Sequence, residues 1–185
     1  MANFMKAHRF TAKWEGGLAD HPDDPGGVTN HGVSLRWLRA RGAGIGDIDG
    51  DGDIDADDVR ALTPKEAAAL FKREFWDPCR LDGLPQLVAT CHYDCMVNAG
   101  PTQAARIAQR ACSGLGIRLV MDGVFGERTR AALKAYSSPR LANAMLDTRI
   151  RFYRRLVHKR PELAVFEAGW LNRVADLRRF LGLGQ

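Results

Sequence analysis

The chain has 185 residues, 45% hydrophobic and 26% charged, enough to bury a proper core as one domain or as one domain with a smaller appendage. No apolar run approaches the roughly 20 residues of a membrane-spanning helix, and Met1 to Lys13 lacks the apolar stretch of a signal peptide, so neither is expected. Charge is uneven: residues 1–100 carry 11 basic and 16 acidic side chains, net −5, whereas residues 101–185 carry 16 and 6, net +10.

From Asn3 to Trp14 the apolar residues recur at three- and four-residue spacings, which predicts a short amphipathic helix stopped by Gly16 and Gly17. Glu15 then sits at the C-terminus of that helix. The negative end of the helix dipole and the neighbouring Trp14 both disfavour ionisation there, so the carboxyl can stay protonated and act as a general acid. The following Pro25-Gly26-Gly27 cannot continue a helix and reads as a tight turn entering a short hairpin. Such a hairpin folds back beside Glu15 and brings Asp23 or Asp24, together with Thr29, toward one cleft, where a second carboxylate and a hydroxyl can position water. The plainer alternative makes the aspartates turn formers, Thr29 a strand residue and Glu15 a solvated helix end.

Residues 47–58 hold seven aspartates and fit a twelve-residue calcium loop. In that register Asp47, Asp49 and Asp51 offer side chains, Asp53 its carbonyl, Asp55 a water-mediated contact, and Asp58 closes the site. Gly52 stands at the sixth position. Asp in place of Glu at the last position departs from the EF-hand form and resembles the dockerin-type loop. A structural calcium ion is expected, because so many carboxylates repel one another unless a cation neutralises them; catalysis needs no cofactor.

Thr63-Pro64-Lys65-Glu66 is a helix start with Thr as cap and Glu completing a capping box, and the helix is predicted to run to about Phe75. Trp76 lies at its end as a core residue or a sugar-stacking platform. Leu84 to Asn98 forms the predicted central helix, with Leu87, Cys91, Asp94 and Asn98 on one stripe. Asp94 and Asn98 are polar where apolar residues are expected, so they either support the site through hydrogen bonds or contact substrate. Cys79, Cys91, Cys95 and Cys112 form no paired metal-ligand motif and read as buried thiols, and His92 beside Cys91 has no further ligands at zinc spacing.

Asp122-Gly123-Val124-Phe125-Gly126 marks a turn before a helix near Thr129. Between Leu141 and Arg160, apolar residues alternate with Arg149, Arg151, Arg154, Arg155, Lys159 and Arg160 as a cationic amphipathic helix, packed on the core by one face or bound to a membrane surface. The basic second part is drawn to anionic envelope polymers such as peptidoglycan, teichoic acid or lipopolysaccharide. Nucleic acid is not expected, since the arginines are not interleaved with stacking aromatics.

The string from Trp14 to Ser34 resembles the signature of the glycoside hydrolase family 108 lysozymes, found in bacteriophage endolysins and in bacterial proteins once described as secretion activators. Matches continue through Phe75-Trp76-Asp77, Tyr93-Asp94 with Val97-Asn98-Ala99-Gly100-Pro101, the 122–126 turn with Thr129, and Gly169-Trp170-Leu171-Asn172-Arg173-Val174. The resemblance covers nearly the whole chain. It implies a muramidase that cleaves the bond between N-acetylmuramic acid and N-acetylglucosamine in bacterial peptidoglycan, with Glu15 as catalytic acid. By analogy with phage-type lysozymes it implies weaker assignments for Asp24 and Thr29. The Asp-to-Thr spacing is one residue shorter here, which leaves Asp23 against Asp24 open.

The expected fold is mainly α: a lysozyme-like helical domain over residues 1–100 with a short β-hairpin and the calcium-loop insertion, and a basic, peptidoglycan-binding-like helical region over 101–185 packed on it. Expected substrate contacts are Trp76, Asp94 and Asn98. An endolysin of this kind is expected as a monomer that leaves the host cytoplasm for the periplasm and cell wall through a separate holin. The rival readings are a lytic transglycosylase acting on the same bond, a non-catalytic wall-binding protein, and a protein that assists secretion through a partner.

Overall fold

A computed structural model describes residues 1–20 and 27–184. The fold is mainly α, with ten α-helices and one two-stranded hairpin among the described residues. No helix among them is long and apolar enough to cross a membrane. The chain forms two compact units, Thr11–Arg73 and Met1–Phe10 with Glu74–Gln185. The central helix, Gln86–Ala99, falls in the larger unit with the C-terminal helices.

Helix α1 (Phe4–Glu15) contributes its first residues to the larger unit and its last five to the smaller one. Asn3 starts it by accepting the Lys6 amide at 3.0 Å, and Gly16, at φ +77°, ends it in the left-handed conformation that glycine adopts at little cost.

In the smaller unit, β1 (Thr29–Asn30) pairs antiparallel with β2 (Val33–Ser34), Thr29 opposite Ser34 and Asn30 opposite Val33. His31 and Gly32 make the two-residue turn between them, with φ of +50° and +80°, the backbone signs that match the twist of paired strands. Pro25 and Gly26, where the sequence places a tight turn entering the hairpin, lie outside the described residues; Gly27, which leads into β1, has a φ of +71°. Ser34 then caps α2 (Leu35–Arg39) by accepting the Trp37 amide. After α3 (Ala43–Gly46) and the Asp-rich loop come α4 (Ala56–Ala61) and α5 (Pro64–Phe71). The Thr63/Glu66 capping box forms as the sequence dictates. The helix does not run unbroken to Phe75: after Phe71 it widens into a π-helical turn, Lys72–Trp76. Val28, Val33, Leu38, Val59, Leu62 and Phe71 are buried in this unit.

The larger unit is built from α6 (Gln86–Ala99), α7 (Pro101–Gly114), α8 (Glu127–Ala135), α9 (Pro139–Lys159) and α10 (Ala164–Phe180). α6 packs on α7 and α9, α10 packs on α9, and α8 rests on α7. An aromatic cluster joins the start of α1 to α6. Phe4, Trp76 and Tyr93 meet edge-on with centroids 5.5 to 5.7 Å apart, and His8 Nδ1 lies 2.9 Å from the Tyr93 hydroxyl. Such T-shaped contacts add about 0.5–1.5 kcal/mol each beyond simple burial. Tyr153 of α9 stacks on Trp170 of α10 at 5.1 Å. Cys91, Cys95 and Cys112 are buried free thiols and Cys79 is a half-buried one; burial pushes Cys91 up to about 12 and Cys95 to about 11, so both stay protonated.

Candidate active site

Glu15 ends α1 half-buried, with its Oε1 atom shielded from solvent. The chain leaves Glu15 through Gly16 and Gly17 and returns as a bridge, Ala19 to Thr29, with amide-to-carbonyl distances of 2.7 and 2.8 Å in the two directions. Thr29 thus lies between two neighbours, the Ala19 backbone on one side and β2 on the other. Its hydroxyl donates to the Gly27 carbonyl at 3.3 Å. Asp23 and Asp24 lie outside the described residues.

Two residues that the sequence reading passed over shape this corner. Gly32 is one: a Cβ built on it would fall 2.7 Å from the Glu15 Cβ, 2.9 Å from its Cγ and 3.1 Å from the Phe71 ring. The hairpin turn therefore lies directly against the stem of the Glu15 side chain, a closeness only glycine permits. Asn30 is the other. Its buried amide donates to the Val59 and Leu62 carbonyls at 3.0 and 3.2 Å and fastens the hairpin to the end of α4. Arg60 of α4 also pairs with Asp20 at 2.8 Å, which holds the segment that follows Glu15. The Asn-His-Gly string carried a signal for the turn, because Asn and Gly favour hairpin turns, but nothing local announced the contact with Glu15.

The Asp-rich loop gathers carboxylates as its register demands in part. Oxygens of Asp47, Asp49 and Asp58 lie within 4.8 Å of one another, and so do those of Asp53, Asp55 and Asp58; Asp51 is in neither group. Asp58, only 1% exposed, accepts the Ile48 amide at 2.6 Å and the Asp55 amide at 2.7 Å. Burial alone would raise its carboxyl, but these backbone donors hold it below the usual carboxylate range. Asp53 is raised chiefly by the charge of Asp51. Asp47 accepts the amides of Gly50 and Gly52, so the loop curls around the Asp47 side chain.

The three expected substrate contacts are placed differently. Trp76 is fully buried among Phe4 and Tyr93, and its Nε1 donates to Asp82 at 2.8 Å. A ring with no exposed face cannot stack on a sugar, so Trp76 is a core residue. Asp94 is fully buried too. It accepts Arg149 of α9 at 2.6 Å and Arg173 of α10 at 2.7 Å, while Asn98 accepts Arg149 at 3.1 Å and the Tyr153 hydroxyl. Burial alone would raise the Asp94 carboxyl, but Arg149 and Arg173 hold it below the usual range. Asp94 is thus spent on internal ion pairs, and Asn98 serves the same cluster. Asp94, buried between these partners, supports the fold rather than touches substrate, and half-buried Asn98 lends its Oδ1 to the same cluster.

A sequence model of the glycosyl hydrolase 108 family matches residues 8–100, and one described as a predicted peptidoglycan domain matches residues 103–175. Among solved structures, Brucella abortus SagA is similar, with a TM-score of 0.74 and 30% identity over 97% of this chain and 94% of that one. Curated proteins yield no match. With a family match across half its length and a like structure across nearly all of it, the chain belongs to the glycosyl hydrolase 108 family and is a lysozyme-like glycoside hydrolase of peptidoglycan.

Proposed function

We propose that the protein is a muramidase, cleaving the bond between N-acetylmuramic acid and N-acetylglucosamine with Glu15 as general acid. The observation that carries this reading is the setting of Glu15: a half-buried helix-end carboxyl, one oxygen shielded from water, its stem pressed against the turn of a hairpin through Gly32. Glu15 gives its proton to the glycosidic oxygen as the bond breaks. Asp24, or its neighbour Asp23, activates a water on the opposite face, with Thr29 assisting, and direct attack by that water inverts the anomeric centre. The Asp-rich loop holds a structural calcium ion through Asp47, Asp49, Asp51, Asp53 and Asp58, and takes no part in the chemistry.

The test is digestion of purified peptidoglycan by the wild type and by Glu15→Gln, followed by product masses. The wild type is expected to release fragments with ordinary reducing ends and the variant to release none while keeping its fold. Fragments ending in 1,6-anhydro sugars would replace hydrolysis with transglycosylation, and full activity in Glu15→Gln would remove the assignment altogether.

A further inference from the structure

Two adjoining cavities, about 890 and 670 Å³, flank the segment that links α7 to α8 and share Gly116, Ile117, Arg118, Leu119 and Arg128. Their chemistry differs. The larger includes two carboxylates already engaged, Asp122 with Gln109 at 2.8 Å and Glu127 with Arg130. The smaller has no acidic lining residue and three arginines, Arg118, Arg128 and Arg140. All three are exposed, and none has an ion pair or side-chain hydrogen bond among the described residues. Of the other arginines in the C-terminal helices, Arg130, Arg149, Arg160, Arg173, Arg178 and Arg179 each meet a carboxylate, while Arg110, Arg154 and Arg155 meet none among the described residues; what sets Arg118, Arg128 and Arg140 apart is that they line one concavity.

Free guanidinium groups held around one concavity repel one another and gain most from a ligand that brings several negative charges. Between them lie Ile117, Leu119, Ala131 and Ala132, with the exposed ring of Tyr136 alongside. A neutral glycan chain would leave the arginines unanswered. A phosphate-linked polyol would have no use for the apolar floor. An acidic peptide satisfies both, since carboxylates accept paired hydrogen bonds from arginine while the aliphatic parts of the peptide lie on the floor. The volume falls in the usual range for small-ligand pockets, roughly 300–1,000 Å³.

We infer that the arginine-lined groove between the 115–119 segment, α8 and the start of α9 binds the carboxylate-bearing peptide stem of peptidoglycan, as a site separate from the one that cuts the glycan. This rests on the reading of peptidoglycan as the substrate. The groove then ties the enzyme to peptide-substituted strands.

The test uses the full chain as Glu15→Gln, titrated calorimetrically with a synthetic stem tetrapeptide bearing free carboxylates, with the same peptide amidated, and with a glycerol-phosphate polymer. The free-carboxylate peptide is expected to bind, the amidated one at least tenfold more weakly, and the phosphate polymer no better than the amidated peptide. Combining Arg118→Ala, Arg128→Ala and Arg140→Ala is expected to weaken peptide binding at least tenfold, and Arg128→Glu alone to do the same in a chain whose melting temperature is unchanged. Absence of peptide binding, binding that survives the triple substitution, or preference for the phosphate polymer overturns the inference. Wild-type digestion of peptidoglycan is scored separately: its failure removes the muramidase reading and leaves the peptide titration to decide the groove.

Discussion

Gly32 and Glu15 are coupled through space in a way that one substitution can expose. Alanine at residue 32 meets two penalties: a left-handed backbone at φ +80°, costing about 1–2 kcal/mol, and a methyl group within 2.9 Å of the Glu15 stem, where overpacking costs about 1–3 kcal/mol. Gly42 has a similar φ of +75° with nothing within 4 Å of its Cβ position, so Gly42→Ala carries the backbone penalty alone. Gly32→Ala is expected to lower the peptidoglycan-digesting rate at least tenfold while Gly42→Ala retains most of it. Equal losses in the two variants, measured as turbidity decrease of cell walls, would separate Gly32 from the site. A second residue-scale expectation concerns His92, whose two ring nitrogens are buried without hydrogen-bond partners among the described residues, beside the stacked ring of Phe125, 3.9 Å away. Burial pushes its pKa down to about 3, whereas the unfolded imidazole titrates near 6.5. Acid therefore protonates the unfolded chain first, and the stability His92 leaves intact above pH 6.5 is lost as pH falls from there toward 3. At pH 5 this group alone costs about 2 kcal/mol. Urea unfolding of wild type and His92→Leu at pH 7.5 and pH 5 measures it; an unchanged pH dependence in the variant would show that some other group is responsible.

At the scale of elements, what the sequence made legible was whatever is locally encoded. The Thr63 capping box, the helix-ending glycine after Glu15 and the span of the central helix all depend on residues within a turn or two of one another. The turn between the strands, His31-Gly32, drew no separate expectation, because only the pairing of Thr29 with Ser34 and of Asn30 with Val33 makes it a hairpin turn. The Phe4 ring that helps bury Trp76 and the arginine partners of Asp94 lie 55 or more positions away, which no local pattern contains. The Asp-rich loop lies between these cases: its spacing encodes the register, while only the folded chain tells which oxygens converge. Two groups of three carboxylates share Asp58, and the charge of Asp51 raises the Asp53 carboxyl. A divalent cation relieves that repulsion. Millimolar calcium is expected to raise the melting temperature by on the order of 5 °C when present at about a hundred times its dissociation constant, EDTA to reverse the shift, and Asp47→Asn with Asp49→Asn to abolish it. A melting temperature indifferent to calcium would leave the loop held by its backbone hydrogen bonds alone.

For the molecule as a whole, the net +10 of residues 101–185 overstates the charge offered to an envelope polymer. Arg149 and Arg173 are 1% and 4% exposed, and both pair with Asp94, which reaches them from α6. The polar stripe on the central helix is thus the point where three helices from the two halves of the sequence are joined by charge. Taking two guanidinium groups out of water is costly, and the arrangement holds only because Asp94, Asn98 and Tyr153 answer them with hydrogen bonds. Asp94→Ala removes the carboxylate that both buried arginines pair with, and the expected loss is about 3–5 kcal/mol of unfolding free energy. Adding Arg149→Met and Arg173→Leu to that variant removes the stranded charges and is expected to recover most of the loss, since a well-packed apolar replacement of a buried ion cluster is often neutral or better. Urea denaturation of the single and triple variants distinguishes the cases. A triple variant no more stable than Asp94→Ala would mean that the cluster contributes through its geometry, by fixing how α6, α9 and α10 pack, and not through the cost of an unpaired charge.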